Sequence, residues 1–217
     1  MKLLVLDLAG TTVKDTGQVV GAFVDGLAEH GIRVTPGQVN AVRGASKRQA
    51  VQQFVPDGPD RIQRANAAYA AFRAHLERTY QTGGVEPIAG AEEVFRVFRD
   101  RGVRVVLNTG FDRDITDLLL DSLKWHDAVD AVVCGDDVKH GRPSPDLIFR
   151  AMEVTGITSA ADVANVGDTT LDLYAGHTAG VCWNIGVLSG AHSRDQMERA
   201  PHTNLLLSLA DLLALFP

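Results

Sequence analysis

Four short loops in this chain carry oxygen donors, a hydroxyl and cations directly behind apolar runs. Asp7-Leu8-Ala9-Gly10-Thr11-Thr12 follows Leu3-Leu4-Val5-Leu6, and Asn108-Thr109-Gly110 follows the run from Val103 to Leu107. The segment Gly135 to Pro143, with Lys139 and Arg142, follows Ala131 to Cys134. Gly167-Asp168-Thr169-Thr170-Leu171-Asp172 follows Val163 to Val166. Asp7, Asp168 and Asp172 are hard oxygen ligands suited to a divalent cation, and Mg²⁺ takes only one or two carboxylates alongside waters and phosphate oxygens. Gly10 and Gly110 let backbone N–H groups approach an anion closely. Thr109 offers a hydroxyl, and Arg142 or Lys139 a positive charge. Together these groups suit a phosphoryl group in transfer. Asp7 would attack phosphorus and form an acyl phosphate, with the metal offsetting repulsion between carboxylate and substrate. A lone Asp after a strand usually caps a turn or helix. Four such loops in order, each behind an apolar run, favour chemistry over capping.

The elements that must position these loops follow from patterning. Short continuous apolar runs read as strands buried on both faces. They recur at residues 3–6, 103–107, 131–134, 163–166 and 181–185. Between them, Ala91 to Arg101, Arg113 to Leu123 and Pro145 to Thr155 carry one apolar face at helical spacing. Alternating strands and helices predict an α/β fold, a Rossmann-like parallel sheet flanked by helices. In such a sheet ligands bind outside the carboxyl ends of the strands, where all four loops fall. Residues 15–84 break the alternation. Thr16 to His30, Pro36 to Val42, Lys47 to Phe54 and Asp60 to Tyr80 all read as helices, the last rich in Ala. The expected organisation is a core of residues 1–14 and 85–217 with a small α-helical cap, 15–84, inserted after the first strand. Residues 205–216 read as a last strand and a short helix.

Composition excludes other classes. Of 217 residues 45% are apolar and 22% charged, which fits a folded globular chain rather than a disordered one. The net charge of −6 argues against nonspecific nucleic-acid binding. Leu3 to Leu6 is too short for a signal peptide, and no later run approaches a membrane span. Cys134 and Cys182 form no CxxC and each lies in an apolar run, so both are expected as buried free thiols of a cytoplasmic protein. Partners are expected to be small phosphonate or phosphate substrates, with no nucleic acid and no membrane. The insertion helices leave monomer and homodimer equally open.

The four loops resemble the four motifs of the haloacid dehalogenase-like superfamily of phosphotransferases, in the same order and across nearly the whole chain. The helical insertion resembles that superfamily's small cap. The resemblance implies Asp7 as nucleophile and Mg²⁺ held by Asp7, the Ala9 carbonyl oxygen and Asp168, with Asp172 as a further carboxylate at the metal site or just behind it. It implies Leu8, Ala9, Gly10, Thr109, Gly110 and Arg142 around the phosphate. Arg142 before Pro143 stands where the family usually has Lys, and Lys139 is its neighbouring competitor.

Most phosphatases of this superfamily carry an Asp two residues after the nucleophile, which protonates the leaving oxygen. This chain has Ala9 there, and positioned acid–base help is worth about 10²–10⁴-fold. The run Asp7-Leu8-Ala9-Gly10-Thr11-Thr12-Val13 resembles the first motif of the phosphonatase (phosphonoacetaldehyde hydrolase) subfamily. There a cap lysine forms a Schiff base with the aldehyde, and the protonated imine accepts the electrons of the broken C–P bond, so no alkoxide needs protonation. Gly44-Ala45-Ser46-Lys47 resembles the cap loop that carries this lysine. Gly44 would give a close turn and Ser46 a helix cap. Lys47 would then lie in the first turn, where the helix dipole disfavours an ammonium, and Arg43 and Arg48 would act in the same sense. The subfamily has Met before this Gly and His three residues after the Lys; here Arg43 and Ala50 stand in those places. Two other functions remain: a phosphomonoesterase of the phosphoglycolate phosphatase type, and a non-hydrolytic phosphate-binding protein. His140 reads as a loop histidine and Asn108 as orienting its loop. Trp125 and Trp183 read as packing residues.

Overall fold

The computed structural model describes residues 1–217. β1 (Leu3–Asp7) is followed by four helices, α1 (Gln18–Ala28), α2 (Pro36–Ala41), α3 (Lys47–Phe54) and α4 (Arg61–Gly83), with no strand among them. The alternating part then runs α5 (Ala91–Asp100), β2 (Arg104–Asn108), α6 (Arg113–Leu123), β3 (Ala131–Val133), α7 (Asp146–Thr155), β4 (Val163–Gly167), α8 (Thr170–Ala179) and β5 (Trp183–Val187). It ends with α9 (Arg194–Met197), β6 (Asn204–Leu206) and α10 (Leu212–Leu215). The six strands form one sheet in the order β3-β2-β1-β4-β5-β6, and every pairing is parallel.

Side chains alternate across a strand, and β1 divides accordingly. Leu4 and Leu6 face one layer with Leu107, Val166, Phe95 and Phe98. Leu3 and Val5 face the other with Val106, Val163, Leu147, Ile148 and Ala175. The first layer continues without a break into the helical insertion, through Leu8 and Val13 to Val19, Phe23, Phe72 and Leu76. Phe23 of α1 and Phe72 of α4 meet with ring centroids 4.3 Å apart. Apolar burial of this kind contributes roughly 25 cal/mol per Å², so the insertion is held against the sheet as well as within itself.

Some boundaries differ from the sequence expectation. β5 begins at Trp183, two residues late, because Gly180 ends α8 in the left-handed region and Val181 folds back to donate to the Gly176 carbonyl. Cys182 in that turn is exposed, correcting its expected burial, while Cys134 is a buried free thiol. β2 extends to include Asn108. Trp125 is buried and donates to Glu92 at 2.9 Å, and Trp183 packs edge-on to Phe216. No helix is long and apolar enough to cross a membrane.

Candidate active site

The chain winds outward from β1 in both directions, β2 and β3 to one side and β4 to β6 to the other. The crevice at such a reversal point, beyond the carboxyl ends of the strands, is where an open parallel sheet receives ligands. Asp7 is the last residue of β1, Asn108 is its Cα partner at the end of β2, and Asp168 directly follows β4. The turn before α3 closes over them. The amide of Lys47 donates to the Gly110 carbonyl at 3.0 Å, and Arg142 Nη1 donates to the Gly44 carbonyl at 3.1 Å. Gly44 has φ +88°, and a Cβ there would sit 2.5 Å from Thr169 Oγ1; one on Gly110 would collide with the Ala45 carbonyl oxygen. Both glycines are therefore conditions of the close approach.

Arg142 is the central cation. It is 3% exposed. Its Nη1 lies 2.9 Å from Asp7 Oδ1 and its Nε 2.7 Å from Asp172 Oδ1. Its Nη2 donates to Asn108 Oδ1 at 2.5 Å. The planar fork reaches several acceptors at once, which an ammonium does not do. Lys139 is exposed and lies outside the site, so the third loop contributes Arg142. Asp172 is buried behind Arg142 and closes a capping box with Thr169 at the start of α8. It does not line the cavity in front of Asp7. Of the two places left open for Asp172, at the metal or one layer behind it, its position behind Arg142 corresponds to the second, where it holds Arg142 and the helix.

That cavity is lined by Asp7, Ala9, Arg43, Lys47, Thr109, Gly110, Phe111, Arg142 and Asp168, among others, and encloses only about 10 Å³, room for about one water. Lys47 Nζ donates to the Ala45 carbonyl at 3.2 Å and lies 5.1 Å from the centre of the Phe111 ring. Thr109 Oγ1 accepts from the Phe111 amide at 3.1 Å, which leaves its O–H proton available to the cavity. The amides of Leu8, Ala9 and Gly110 make no hydrogen bond within the protein. The Gly10 amide, expected to be free for phosphate, donates instead to the Val13 carbonyl at 2.8 Å. Ser46 sits at the start of α3 without capping it through its side chain.

Burial pushes the Asp7 carboxyl up to about 7; Arg142 opposes this, and Asp172 and Asp168 reinforce it. Burial likewise raises Asp168 to about 6, with Asp172 adding and the Ala191 amide opposing. Burial brings Lys47 down to about 8, opposed by Asp7 and assisted by Arg43 and Arg142. Arg48 plays no such part. It lies over the Tyr69 ring, 4.5 Å from its centre, and 3.8 Å from Asp112.

Asp7 and Asp168 fit a small hard cation. Thr11 Oγ1 lies 3.4 Å from both Asp7 Oδ2 and Asp168 Oδ1, and one hydroxyl proton serves only one of them. With Asp7 Oδ1 held by Arg142 and Asp168 Oδ2 by the Ala191 amide, the remaining buried oxygens, Asp7 Oδ2 and Asp168 Oδ1, share that one long contact, an imbalance that a divalent ion corrects. No third His, Cys, Asp or Glu side chain joins them at a metal-binding distance; Mg²⁺ usually takes only one or two carboxylates beside water and phosphate oxygens.

Asn108, expected only to orient its loop, holds Arg142. Two contributors were not singled out from sequence: Thr11 bridges the carboxylates, and the Ala191 amide fixes Asp168 Oδ2 at 2.7 Å. The neighbouring His192 accepts from the Thr170 amide through Nδ1, which leaves Nε2–H to donate to the Asn40 carbonyl of the insertion at 3.1 Å. Asn108 and Thr11 carry a signal in being polar residues within or beside apolar strand ends. Ala191 and His192 act through tertiary position, for which local sequence has no mark.

The model of the haloacid dehalogenase-like hydrolase family matches residues 4–184. Phosphonoacetaldehyde hydrolase of Paraburkholderia phytofirmans is 26% identical over 223 aligned residues, covering 93% of this chain and 82% of that protein. A hydrolase from Pseudomonas syringae superposes with a TM-score of 0.88 at 21% identity, over 99% of this chain and 97% of the other. A phosphonoacetaldehyde hydrolase-like protein from Oleispira antarctica gives 0.85 at 22% identity, over 99% and 90%.

Proposed function

The chain belongs to the haloacid dehalogenase-like hydrolases, and from that footing we propose that it is a phosphonatase-like enzyme cleaving the carbon–phosphorus bond of phosphonoacetaldehyde or a related oxo-phosphonate. One observation carries this reading. An amine with a lowered pKa, Lys47, and a buried carboxylate, Asp7, line the same closed cavity, in which position 9 is Ala. An ester substrate would leave as an alkoxide with no carboxylic acid at that position to protonate it. A C–P substrate activated as an imine needs none.

In this reading residues 15–84 act as a cap and bring Lys47 to the substrate. The phosphonate lies against the free amides of Ala9 and Gly110, the Thr109 hydroxyl and Arg142. Asp7, Asp168 and the Ala9 carbonyl oxygen would hold Mg²⁺, which supplies positive charge beside the phosphoryl oxygens. The Lys47 amine adds to the carbonyl carbon, and loss of water gives the protonated imine. A carboxylate oxygen of Asp7 bonds to phosphorus as the C–P bond breaks, and that electron pair becomes the enamine. Protonation at carbon and hydrolysis of the imine return Lys47 and release acetaldehyde. A second water hydrolyses the acyl phosphate on Asp7. The closed cavity excludes other water meanwhile.

The test is acetaldehyde release from phosphonoacetaldehyde with Mg²⁺, together with borohydride trapping of the imine. Turnover lost in both Asp7→Asn and Lys47→Arg supports the reading. Turnover that survives Lys47→Arg removes the imine from it.

A further inference from the structure

Arg43 stands in the wall of the same cavity as Lys47 and Asp7. Its side chain is 10% exposed and pairs with Asp15, whose own side chain is fully buried. Asp15 is the only hydrogen-bonding partner of that guanidinium, reached through Nη2, although an arginine fork carries further N–H donors. The remaining N–H groups of Arg43 have no acceptor within the protein, and the residue lines the space beside the nucleophile. Asp15 is fixed in turn, since its Oδ1 accepts from the Gly17 amide at 3.0 Å. The linker therefore holds Arg43 in place with donor capacity left over.

Arg43 precedes Lys47 by four residues across the Gly44 turn. In the phosphonatase-like reading, on which this inference rests, phosphorus faces Asp7 and the carbonyl carbon faces Lys47. The group meeting Arg43 is then the other substituent on that carbonyl carbon. In phosphonoacetaldehyde this is a hydrogen, which uses no donor. We propose that Arg43 is a specificity-determining residue for a carboxylate at this position, so that the preferred substrate class is a 2-oxo acid bearing a phosphonate on carbon 3. The chemistry balances as before. The C–P electron pair passes into the iminium, phosphorus passes to Asp7, and the products are the methyl 2-oxo acid and phosphate for one net water.

Calorimetry with Mg²⁺ and two inert phosphonates tests binding apart from turnover. 3-Phosphonopropanoate is expected to bind wild type on the order of tenfold or more tightly than propylphosphonate, since charge-assisted bonds are the strong ones. That preference is expected to vanish in the Asp15→Asn/Arg43→Met double variant, which leaves no buried charge unpaired and whose folding is checked by circular dichroism. Arg43→Lys should keep part of it. Equal binding of the two ligands by wild type, or a preference that persists in the double variant, overturns the role of Arg43. In parallel, wild type is expected to turn over 3-phosphono-2-oxopropanoate with a higher kcat/KM than phosphonoacetaldehyde. Turnover of the aldehyde alone overturns this inference and spares the C–P reading; turnover of neither overturns both.

Discussion

The amide of Lys47 donates to the carbonyl oxygen of Gly110 at 3.0 Å, so the turn bearing the amine is fixed at its backbone to the loop bearing Thr109. A methyl group on Gly110 would meet the Ala45 carbonyl, and Ala45 is two residues from Lys47. Gly110→Ala is therefore expected to lower kcat by about a hundredfold, the usual effect of a displacement near 1 Å. Unfolding in urea should change little, because the turn can lift away. Steady-state kinetics beside a denaturation curve separates these effects.

The lowered pKa of Lys47 has a sign that can be checked. An amine must be neutral to add to a carbonyl, and the neutral fraction grows as pH rises through about 8 here, against 10.5 for an ordinary lysine. Borohydride trapping of acetaldehyde on the protein should therefore reach half its maximum near pH 8. Asp7 favours the ammonium, so Asp7→Asn should move the midpoint lower. A midpoint above pH 10 would show an ordinary surface-like lysine.

Arg142 answers both Asp7 and Asp172 in a buried place. Removing one partner of a buried ion pair costs about 3–5 kcal/mol. Arg142→Ala is expected to lose stability of that size in chemical denaturation at neutral pH. Arg142→Lys keeps the charge and loses the fork, so it should fold better and still lose about a hundredfold or more in kcat.

A ligand that binds only the folded state stabilises it by about 2.7 kcal/mol at a hundred times its Kd. Saturating Mg²⁺ should accordingly raise Tm in wild type. Asp168→Asn should abolish that increase, because the amide cannot replace the carboxylate as a hard ligand. An unchanged Mg²⁺ response in Asp168→Asn would place the ion elsewhere.

Ala9 lines the cavity and offers no proton. Ala9→Asp should supply one to a leaving oxygen and raise hydrolysis of simple phosphate esters, by up to about 10²-fold. It should also weaken C–P cleavage by placing a further carboxylate beside Asp7. Ester hydrolysis already high in wild type and unaffected by the change would favour the phosphomonoesterase alternative.

The strands and the order of their loops were legible because buried parallel strands are written as unbroken apolar runs, as Leu3 to Leu6 and Val163 to Val166 show. The same rule misplaced β5. Val181 and Cys182 are apolar letters in a turn, and only the helix end at Gly180 reveals this. Arg142 and Lys139 are equivalent in the sequence, both three or fewer residues from His140, and the path of the loop separates them. The Gly44 turn was readable from its glycine. The uncapped Ser46, the bonded Gly10 amide and the grip of Ala191 on Asp168 depend on which neighbours arrive from distant segments. Asp172 looked like its fellow Asp168 because the two share a loop, and one helical turn is enough to place it behind Arg142.

The smallness of the enclosed space has one more consequence. With about 10 Å³ between Lys47 and Asp7, the resting molecule competes with its own substrate. The Gly44 carbonyl occupies a donor of Arg142, and the proposed substrate is larger than this space. Observed affinity is thus the difference between the contacts a substrate makes and those it evicts.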